Sequence, residues 1–206
     1  MFQAMPTILS PDQQEYRLQD FIQETMDNFS MARCLANLII NYRNAGYPLP
    51  QATLLIQGDL TPVPIRLEAQ TCGFLIVPVM RTAILDFARS LAFFGLCCDK
   101  SIGNLKTINL PRHHKDDLGI EQFGLSLITP GQFKQLASTM ISGDAEQILA
   151  RVTEWRDKKN AHFTLAEPVV HYQELRDVAK FMIEAYMQFI FDALGRPRPT
   201  INPAPI

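Results

Sequence analysis

The sequence predicts an all-α helical bundle of five to six helices with one proline-rich loop. Three observations favour this fold. Apolar residues recur at steps of three and four along most of the chain, which is the spacing of one helix face. Residues that typically start and end helices flank these stretches. The segment "ATLLIQ", residues 52–57, resembles a short strand, but no alternating pattern surrounds it. We therefore expect helices packed on helices around a hydrophobic core.

The composition is that of a globular domain. The chain has 206 residues, of which 47% are hydrophobic, and this is enough for one domain with a sizeable core. We divide it into an N-terminal tail (1–10), a single helical domain (11–195) and a proline-rich tail (196–206) that is predicted to be disordered. The formal net charge is −2. Because bulk charge does not favour nucleic acid, any RNA contact requires a local basic patch.

The cysteines and the apolar segments indicate a soluble cytoplasmic protein without membrane contact. The four cysteines form no C-x-x-C pair; they are Cys34, Cys72, Cys97 and Cys98. Three of them lie in apolar surroundings, which is typical of reduced, buried thiols. No secretory signal is apparent at the N-terminus. The most apolar segment, 72–98, is interrupted by charges and its longest uncharged run is too short to cross a bilayer.

The first predicted helix begins at Pro11, with Ser10 as its N-cap, and ends at Gly46. Its apolar positions share one face, and its length of about 35 residues predicts a break near residues 28–30. The stretch 46–64, "GYPLPQATLLIQGDLTPVP", is rich in proline and predicts an extended loop.

The remaining elements follow from the same signals. A second long helix is predicted over residues 65–96, with a bend or restart at Pro78. "SIGNLKTIN", residues 101–109, suggests a short helix. Two further helices, one starting at Thr129-Pro130 and one covering 144–163, are separated by an interruption at 142–144. The last helix, about 172–194, ends at Gly195.

The helix predicted over 144–163 carries a candidate site. On a helical wheel one stripe is apolar and predicted to be buried; it consists of Ile148, Leu149, Val152 and Trp155. Arg156 and His162 flank the same line, where further apolar residues would be expected. Unpaired buried charge is costly, so these two side chains either form ion pairs or line a wet cleft.

An arginine and a histidine in one cleft have the chemistry to cleave an RNA phosphodiester without a metal. Arginine presents planar donors to phosphate, and histidine exchanges a proton near neutral pH. The spacing of Arg156 and His162 is by itself weakly specific, because chance produces it readily in a chain of this size. The surrounding sequence therefore has to decide between the catalytic and the structural reading.

That surrounding sequence resembles a known family. "EWRDKKNAHF", residues 154–163, resembles the signature of the HEPN superfamily, and "RDKKNAH" resembles the R-D-K-x-x-A-H run of its abortive-infection-type branch. As in that family, a long apolar helix follows the motif. The upstream segment "VMRTAILDFARSLAFF" is similar, less specifically, to the family's second helix. The resemblance covers roughly residues 70–195.

The resemblance implies a homodimer in which two copies of the motif meet at one cleft. It also implies metal-independent and cofactor-free endoribonuclease activity, toxin-like or defence-related, that leaves 2′,3′-cyclic phosphate and 5′-hydroxyl ends. Arg156 and His162 match the catalytic pair, and Asp157 matches the polar position after the arginine, although the wheel points it away. Lys159 and Asn160 are expected to support the pair. RNA, a second copy and an antitoxin protein are the expected partners.

Several alternatives stay open. Lys158 and Lys159 either bind the RNA backbone or form a solvated face. The chain is either the proposed enzyme or a non-catalytic helical homodimer that binds a protein or RNA, and a small-ligand pocket between the helices is a third reading. A solvated loop, rather than a metal site, is favoured for His113, His114, Asp116 and Asp117.

Charged residues also interrupt the apolar helix predicted over 65–96. Asp86 and Arg89 are predicted to pair with each other. In the alternative interpretation, these two residues and Arg81 face the cleft beside Arg156. His171, just before the last helix, is interpreted as a capping or surface residue.

Overall fold

A computed structural model of the chain describes residues 8–46, 52–56, 63–67, 69–98, 104–108, 118–155 and 171–201, with the backbone alone for 42–43 and for the parts between 52 and 77. These residues form an all-α bundle, which confirms the predicted fold class. The α-helices are α1 (Pro11–Arg17), α2 (Gln23–Asn44), α3 (Ala69–Phe93), α4 (Pro130–Met140), α5 (Ala145–Trp155) and α6 (Tyr172–Tyr186). The strands are β1 (Ala52–Ile56), β2 (Val63–Leu67), β3 (Leu96–Cys98) and β4 (Leu105–Thr107).

The first helix begins as predicted. The Ser10 hydroxyl accepts a hydrogen bond from the amide of Gln13 at 3.3 Å, and the Gln13 side chain accepts one from the Ser10 amide at 3.0 Å. This capping box satisfies amides that the first turn leaves without helical partners. The break predicted near residues 28–30 is wrong. The irregularity lies earlier, in a π-helical turn, Leu18–Ile22, that joins α1 to α2. Such a turn admits an extra residue without interrupting the helix.

The second long helix starts later than the sequence predicted. Residues 63–67 form strand β2, which pairs antiparallel with β1 in the register Ala52↔Leu67, so α3 begins at Ala69 rather than near residue 65. The predicted loop 46–64 therefore contains one strand and the start of another. Helix α3 continues through Pro78 without a restart.

Helix α3 ends where only glycine fits. Gly95 has a φ of 82°, and a Cβ at this position would lie 2.7 Å from the Leu127 side chain. The left-handed backbone strains any residue with a side chain, and the Leu127 side chain would have to shift to admit a Cβ. The chain then enters β3, which pairs antiparallel with β4 in the register Leu96↔Thr107. The prediction of a short helix over 101–109 is therefore wrong for residues 104–108, the part that the structure describes. Pairing with a strand about ten residues away outweighs the local helical preference.

The C-terminal half follows the prediction closely. Helix α4 starts at a capping box between Thr129 and Gln132. The predicted interruption lies between α4 and α5, where the Asp144 carboxylate accepts a hydrogen bond from the Gln147 amide at 3.2 Å. Helix α6 continues as a π-helical segment, Met187–Asp192, and the chain turns at Gly195 with a φ of 63°. None of the described helices is both long enough and apolar enough to cross a bilayer.

A buried aromatic cluster joins the ends of α3 and α6 to α4. Its members are Phe93, Phe94, Phe133, Phe181, Tyr186 and Phe189. The ring centroids of Phe133 and Phe181 are 4.8 Å apart in an edge-to-face arrangement, and those of Phe94 and Tyr186 are 5.0 Å apart. Aromatic pairs of this kind add to the stabilisation that burial of their area provides. The cluster therefore packs α4 and the end of α3 against α6, the helix that follows the candidate site in the sequence.

Ion pairs hold the described part of the proline-rich tail against the bundle. Arg196 pairs with Glu15 of α1, and Arg198 pairs with Glu184 at 2.9 Å and with Asp192 at 2.5 Å. The proline content predicted disorder for this tail, whereas in its described part, 196–201, these ion pairs and the packing of Ile201 against the hydrophobic core hold the chain against the bundle. Residues 202–206 lie outside the described residues.

Candidate functional site

The predicted RNA-cleaving residues follow α5 in the sequence. They lie outside the described residues, in the connection between α5 and α6, and they are Arg156, Asp157, Lys158, Lys159, Asn160 and His162. The structure describes the two helices on either side of this connection. The described residues that border the site are Trp155, at the end of α5, and His171, just before α6.

Helix α5 has the orientation that the sequence predicted. All four stripe residues are buried: Ile148, Leu149, Val152 and Trp155. Trp155 ends the described helix with its indole in the core, at 3% exposure. The prediction of a buried apolar line leading to the motif is thus confirmed as far as Trp155.

A two-pronged ion pair joins α5 to α6. Arg151 donates from Nη2 to Oε1 of Glu174 at 2.6 Å and from Nε to Oε2 at 3.2 Å. The bond to Glu174 is the main reason that the pKa of Arg151 is raised; burial opposes this rise, and the charges of Glu174 and Asp144 add to it. Bidentate arginine–carboxylate pairs are stronger and more directional than single contacts. No local signal in the sequence predicts this pair, because its members are 23 residues apart.

His171 occupies the N-cap position of α6. It is exposed, and its side chain makes no capping hydrogen bond, while its carbonyl accepts one from the Leu175 amide at 3.0 Å. The interpretation of His171 as a surface residue is confirmed. Its exposed side chain faces solvent just before α6.

Asp86 is a buried carboxylate with partners on two helices. It is 6% exposed; Arg89 Nη1 lies 3.4 Å from one carboxylate oxygen, and the Asn28 amide donates to the other at 2.8 Å. The predicted pairing of Asp86 with Arg89 is confirmed, and the side chain of Arg89 is 68% exposed. Arg81 is exposed on the same helix. No sequence signal predicts the role of Asn28, whose hydrogen bond to Asp86 joins α2 to α3 at this point.

Removing the Asp86 carboxylate should destabilise the fold. We expect Asp86→Ala to lower the free energy of unfolding by about 2–3 kcal/mol, because the partly buried side-chain amide of Asn28 then loses its acceptor. Asn28→Ala combined with Asp86→Ala should show a coupling of about 1 kcal/mol in a denaturant double-mutant cycle. Arg89→Ala, at an exposed position, should cost less than about 1 kcal/mol. If the losses in the free energy of unfolding from Asn28→Ala and Asp86→Ala simply add in the double variant, the contact between the two side chains is contradicted.

Tyr186 ends a second buried chain of hydrogen bonds. Its hydroxyl donates to Ser90 Oγ at 2.9 Å, and the Ser90 hydroxyl donates to the Asp86 carbonyl at 2.6 Å. Burial raises the pKa of Tyr186 above its ordinary 10.0; the Ser90 bond opposes this rise, and the charge of Asp86 adds to it. The phenol is therefore held neutral at the contact between α3 and α6.

The raised pKa of Tyr186 predicts a loss of stability at alkaline pH. A folded-state pKa above the unfolded one adds stability that is complete below about pH 10 and declines as the pH rises toward the folded pKa. We expect the free energy of unfolding to fall by as much as about 1.4 kcal/mol per pH unit above pH 10 from this group. In denaturant titrations at several pH values, Tyr186→Phe should make the free energy of unfolding depend less on pH above pH 10. Tyr16→Phe, at an exposed position, should keep most of the pH dependence of the wild type. Equal slopes in wild type and Tyr186→Phe would refute the assignment.

Metal binding has no geometric support in the part of the chain that the structure describes, where no group of three or more His, Cys, Asp or Glu side chains is arranged around a common point. His113, His114, Asp116 and Asp117 lie outside that part. The reading of these four residues as a solvated loop stays a prediction.

The fold and the borders of the site define a helical bundle with an Arg- and His-bearing connection between two packed helices. Comparison of the chain with protein-family models, with curated proteins and with solved structures finds no match. The functional assignment therefore depends on the residues themselves.

Proposed function

We propose that the protein is a HEPN-like, metal-independent endoribonuclease of the toxin or defence type, which acts in the cytoplasm as a homodimer. The observation that carries the proposal is the sequence "RDKKNAH", residues 156–162, which follows α5 and precedes α6 in the sequence of an all-α bundle. Both the motif and its place before a long apolar helix resemble the abortive-infection-type branch. An antitoxin protein is the proposed second partner.

The proposed reaction is an attack of the RNA 2′-hydroxyl on the adjacent phosphorus. His162 accepts the proton of the 2′-hydroxyl, the 2′-oxygen bonds to phosphorus, and the bond from phosphorus to the 5′-oxygen breaks. A proton returned to that oxygen gives a 5′-hydroxyl, and the other end carries a 2′,3′-cyclic phosphate. Arg156 donates to the non-bridging oxygens, where charge develops in the transition state. Proton transfer and charge stabilisation both come from side chains, so the mechanism uses neither a metal nor a cofactor.

The local charge favours an RNA substrate although the whole chain is slightly acidic. Residues 156–162 contain Arg156, Lys158 and Lys159 against the single carboxylate of Asp157. Basic residues in one short segment attract phosphates without a basic protein as a whole. We propose that Lys158 and Lys159 bind the RNA backbone, while Lys159 and Asn160 support the catalytic pair.

Incubation of the purified protein with a panel of structured and single-stranded RNAs in EDTA tests the proposal. We expect cleavage that persists in EDTA, with product ends that resist ligation until the cyclic phosphate is opened. Light scattering should give twice the mass of the 23.3 kDa chain. RNA binding without cleavage on the whole panel would instead favour the non-catalytic binding module, and cleavage that EDTA abolishes would overturn the mechanism.

A further inference from the structure

The first ten described residues lie on the bundle without entering its core. None of residues 8–17 is buried, and Ile8 and Tyr16 are 63% and 59% exposed. Burial starts in the π-helical turn that follows α1, where Leu18 is 4% exposed and Ile22 is fully buried. Segments with few buried apolar contacts open locally at a lower free energy than the core. Packing therefore anchors this N-terminal segment far less than it anchors α2.

Contacts at two points hold the N-terminal segment in place. The Leu9 amide donates to the Gln122 carbonyl at 2.8 Å, and the half-buried Leu9 side chain packs against the hydrophobic core. At the other end, Glu15 Oε2 accepts from Arg196 of the C-terminal tail, and Glu15 Oε1 accepts from Gln19 at 2.7 Å. The bond from Arg196 is the main reason that the pKa of Glu15 is lowered, and the bond from Gln19 adds to it. The N-terminal segment and the C-terminal tail are thus joined by an ion pair.

The tail has an anchor of its own, which holds Arg196 in a fixed position. The guanidinium of Arg198 donates from Nε and Nη2 to Asp192, at 2.9 and 2.5 Å, and from Nη1 to Glu184 at 2.9 Å. In a regular α-helix, two positions eight apart lie about 80° apart around the axis. The π-helical segment Met187–Asp192 winds through a smaller angle per residue, which turns Asp192 toward the line of Glu184. Both carboxylates therefore reach one guanidinium.

We propose that residues 8–17 form a lid, hinged at the π-helical turn Leu18–Ile22 and latched by the Arg196–Glu15 ion pair. The bundle stays folded when the lid opens, because the hinge itself is buried in the core. Opening lifts Leu9 and uncovers the apolar surface against which it packs. The two side chains of the latch are 34% and 45% exposed, so salt screens their attraction and favours the open lid.

Hydrogen exchange of single amides in the full chain tests the hinge. The Gln14 amide, bonded to the Ser10 carbonyl at 2.8 Å, reports on the lid, and the Ala32 amide reports on α2. After correction for intrinsic rates, the lid amide should exchange at least about 100-fold faster than the α2 amide, because the lid opens without the core. Equal protection of the two amides would overturn the lid, since both would then open only with the whole bundle.

Salt and charge substitutions test the latch. Raising the ionic strength from about 0.01 to about 1 M shortens the Debye length from about 30 to about 3 Å, and it should accelerate exchange of the lid amide about threefold in the wild type. Arg196→Met should show this acceleration already at low salt and respond no further to salt. Combining Arg196→Glu with Glu15→Arg should restore the protection to within about twofold of wild type.

The chain offers a matched control for the latch. Lys134 pairs with Glu146 at 2.6 Å between α4 and α5, with side-chain exposures of 38% and 26%. Lys134→Met therefore removes a similar ion pair that involves neither α1 nor the tail, and it should leave exchange of the lid amide within about 1.5-fold of wild type. Equal acceleration in Lys134→Met and Arg196→Met would overturn the latch, as would a salt response that stays complete in Arg196→Met.

Discussion

Arg156→Ala and His162→Ala should each lower the rate of RNA cleavage by at least about 100-fold, the usual cost of removing a general acid–base group or a donor to developing charge. The melting temperature should stay within about 2 °C of wild type, because neither side chain is proposed to hold the core together. Single-turnover cleavage of one RNA, followed in EDTA, measures the first effect, and thermal unfolding measures the second.

Two exposed residues provide matched controls for these substitutions. Arg81 on α3 and His171 before α6 carry the same functional groups at exposed positions outside the motif. Arg81→Ala and His171→Ala should retain cleavage within about twofold of wild type. Cleavage retained in Arg156→Ala and His162→Ala would remove the catalytic assignment. A large loss of melting temperature in these two variants would favour the structural ion-pair reading of Arg156.

The two catalytic substitutions should not be additive. If Arg156 and His162 act on the same transition state, the double variant should be no more than about tenfold slower than the slower single variant, as is usual for residues that work as a unit. If the rate reductions of the two single variants multiply in the double variant, Arg156 and His162 have separate roles. Such a result would place one of the residues in RNA binding rather than in the chemical step.

Local signals made most of the fold predictable. Helix starts at Ser10 and Thr129, the buried stripe of α5 and the turn at Gly195 depend on residues within a few positions of one another. Periodicity and capping residues record such short-range interactions directly in the sequence. The all-α fold class followed from them.

Contacts between distant residues could not be predicted in the same way. The local sequence predicts a helix where strand β4 lies, because the pairing of β4 with β3 depends on geometry that a nine-residue window does not contain. The bonds of Asn28 to Asp86 and of Arg151 to Glu174 span 58 and 23 residues, and no spacing rule connects their partners. The motif at 156–162 is the opposite case, since its residue types and spacing are entirely local, so the sequence alone specifies the candidate site.

The largest loss of stability is expected from Phe133→Ala. Phe133 is fully buried on α4, and its ring contacts Phe181 of α6 edge-to-face at 4.8 Å and Phe94 at 5.9 Å. Removing it leaves a cavity where three segments meet, and rings held by one another do not readily collapse into it. We expect a loss of about 3–5 kcal/mol in the free energy of unfolding.

Guanidinium unfolding followed by circular dichroism measures this effect. Gln135→Ala, at an exposed position two residues away on the same helix, should change the free energy of unfolding by less than about 0.5 kcal/mol. Phe133→Leu, which keeps much of the volume but loses the edge-to-face contact, should fall between these two variants. A loss below about 1 kcal/mol for Phe133→Ala would mean that α4 is not anchored to α6 through this ring.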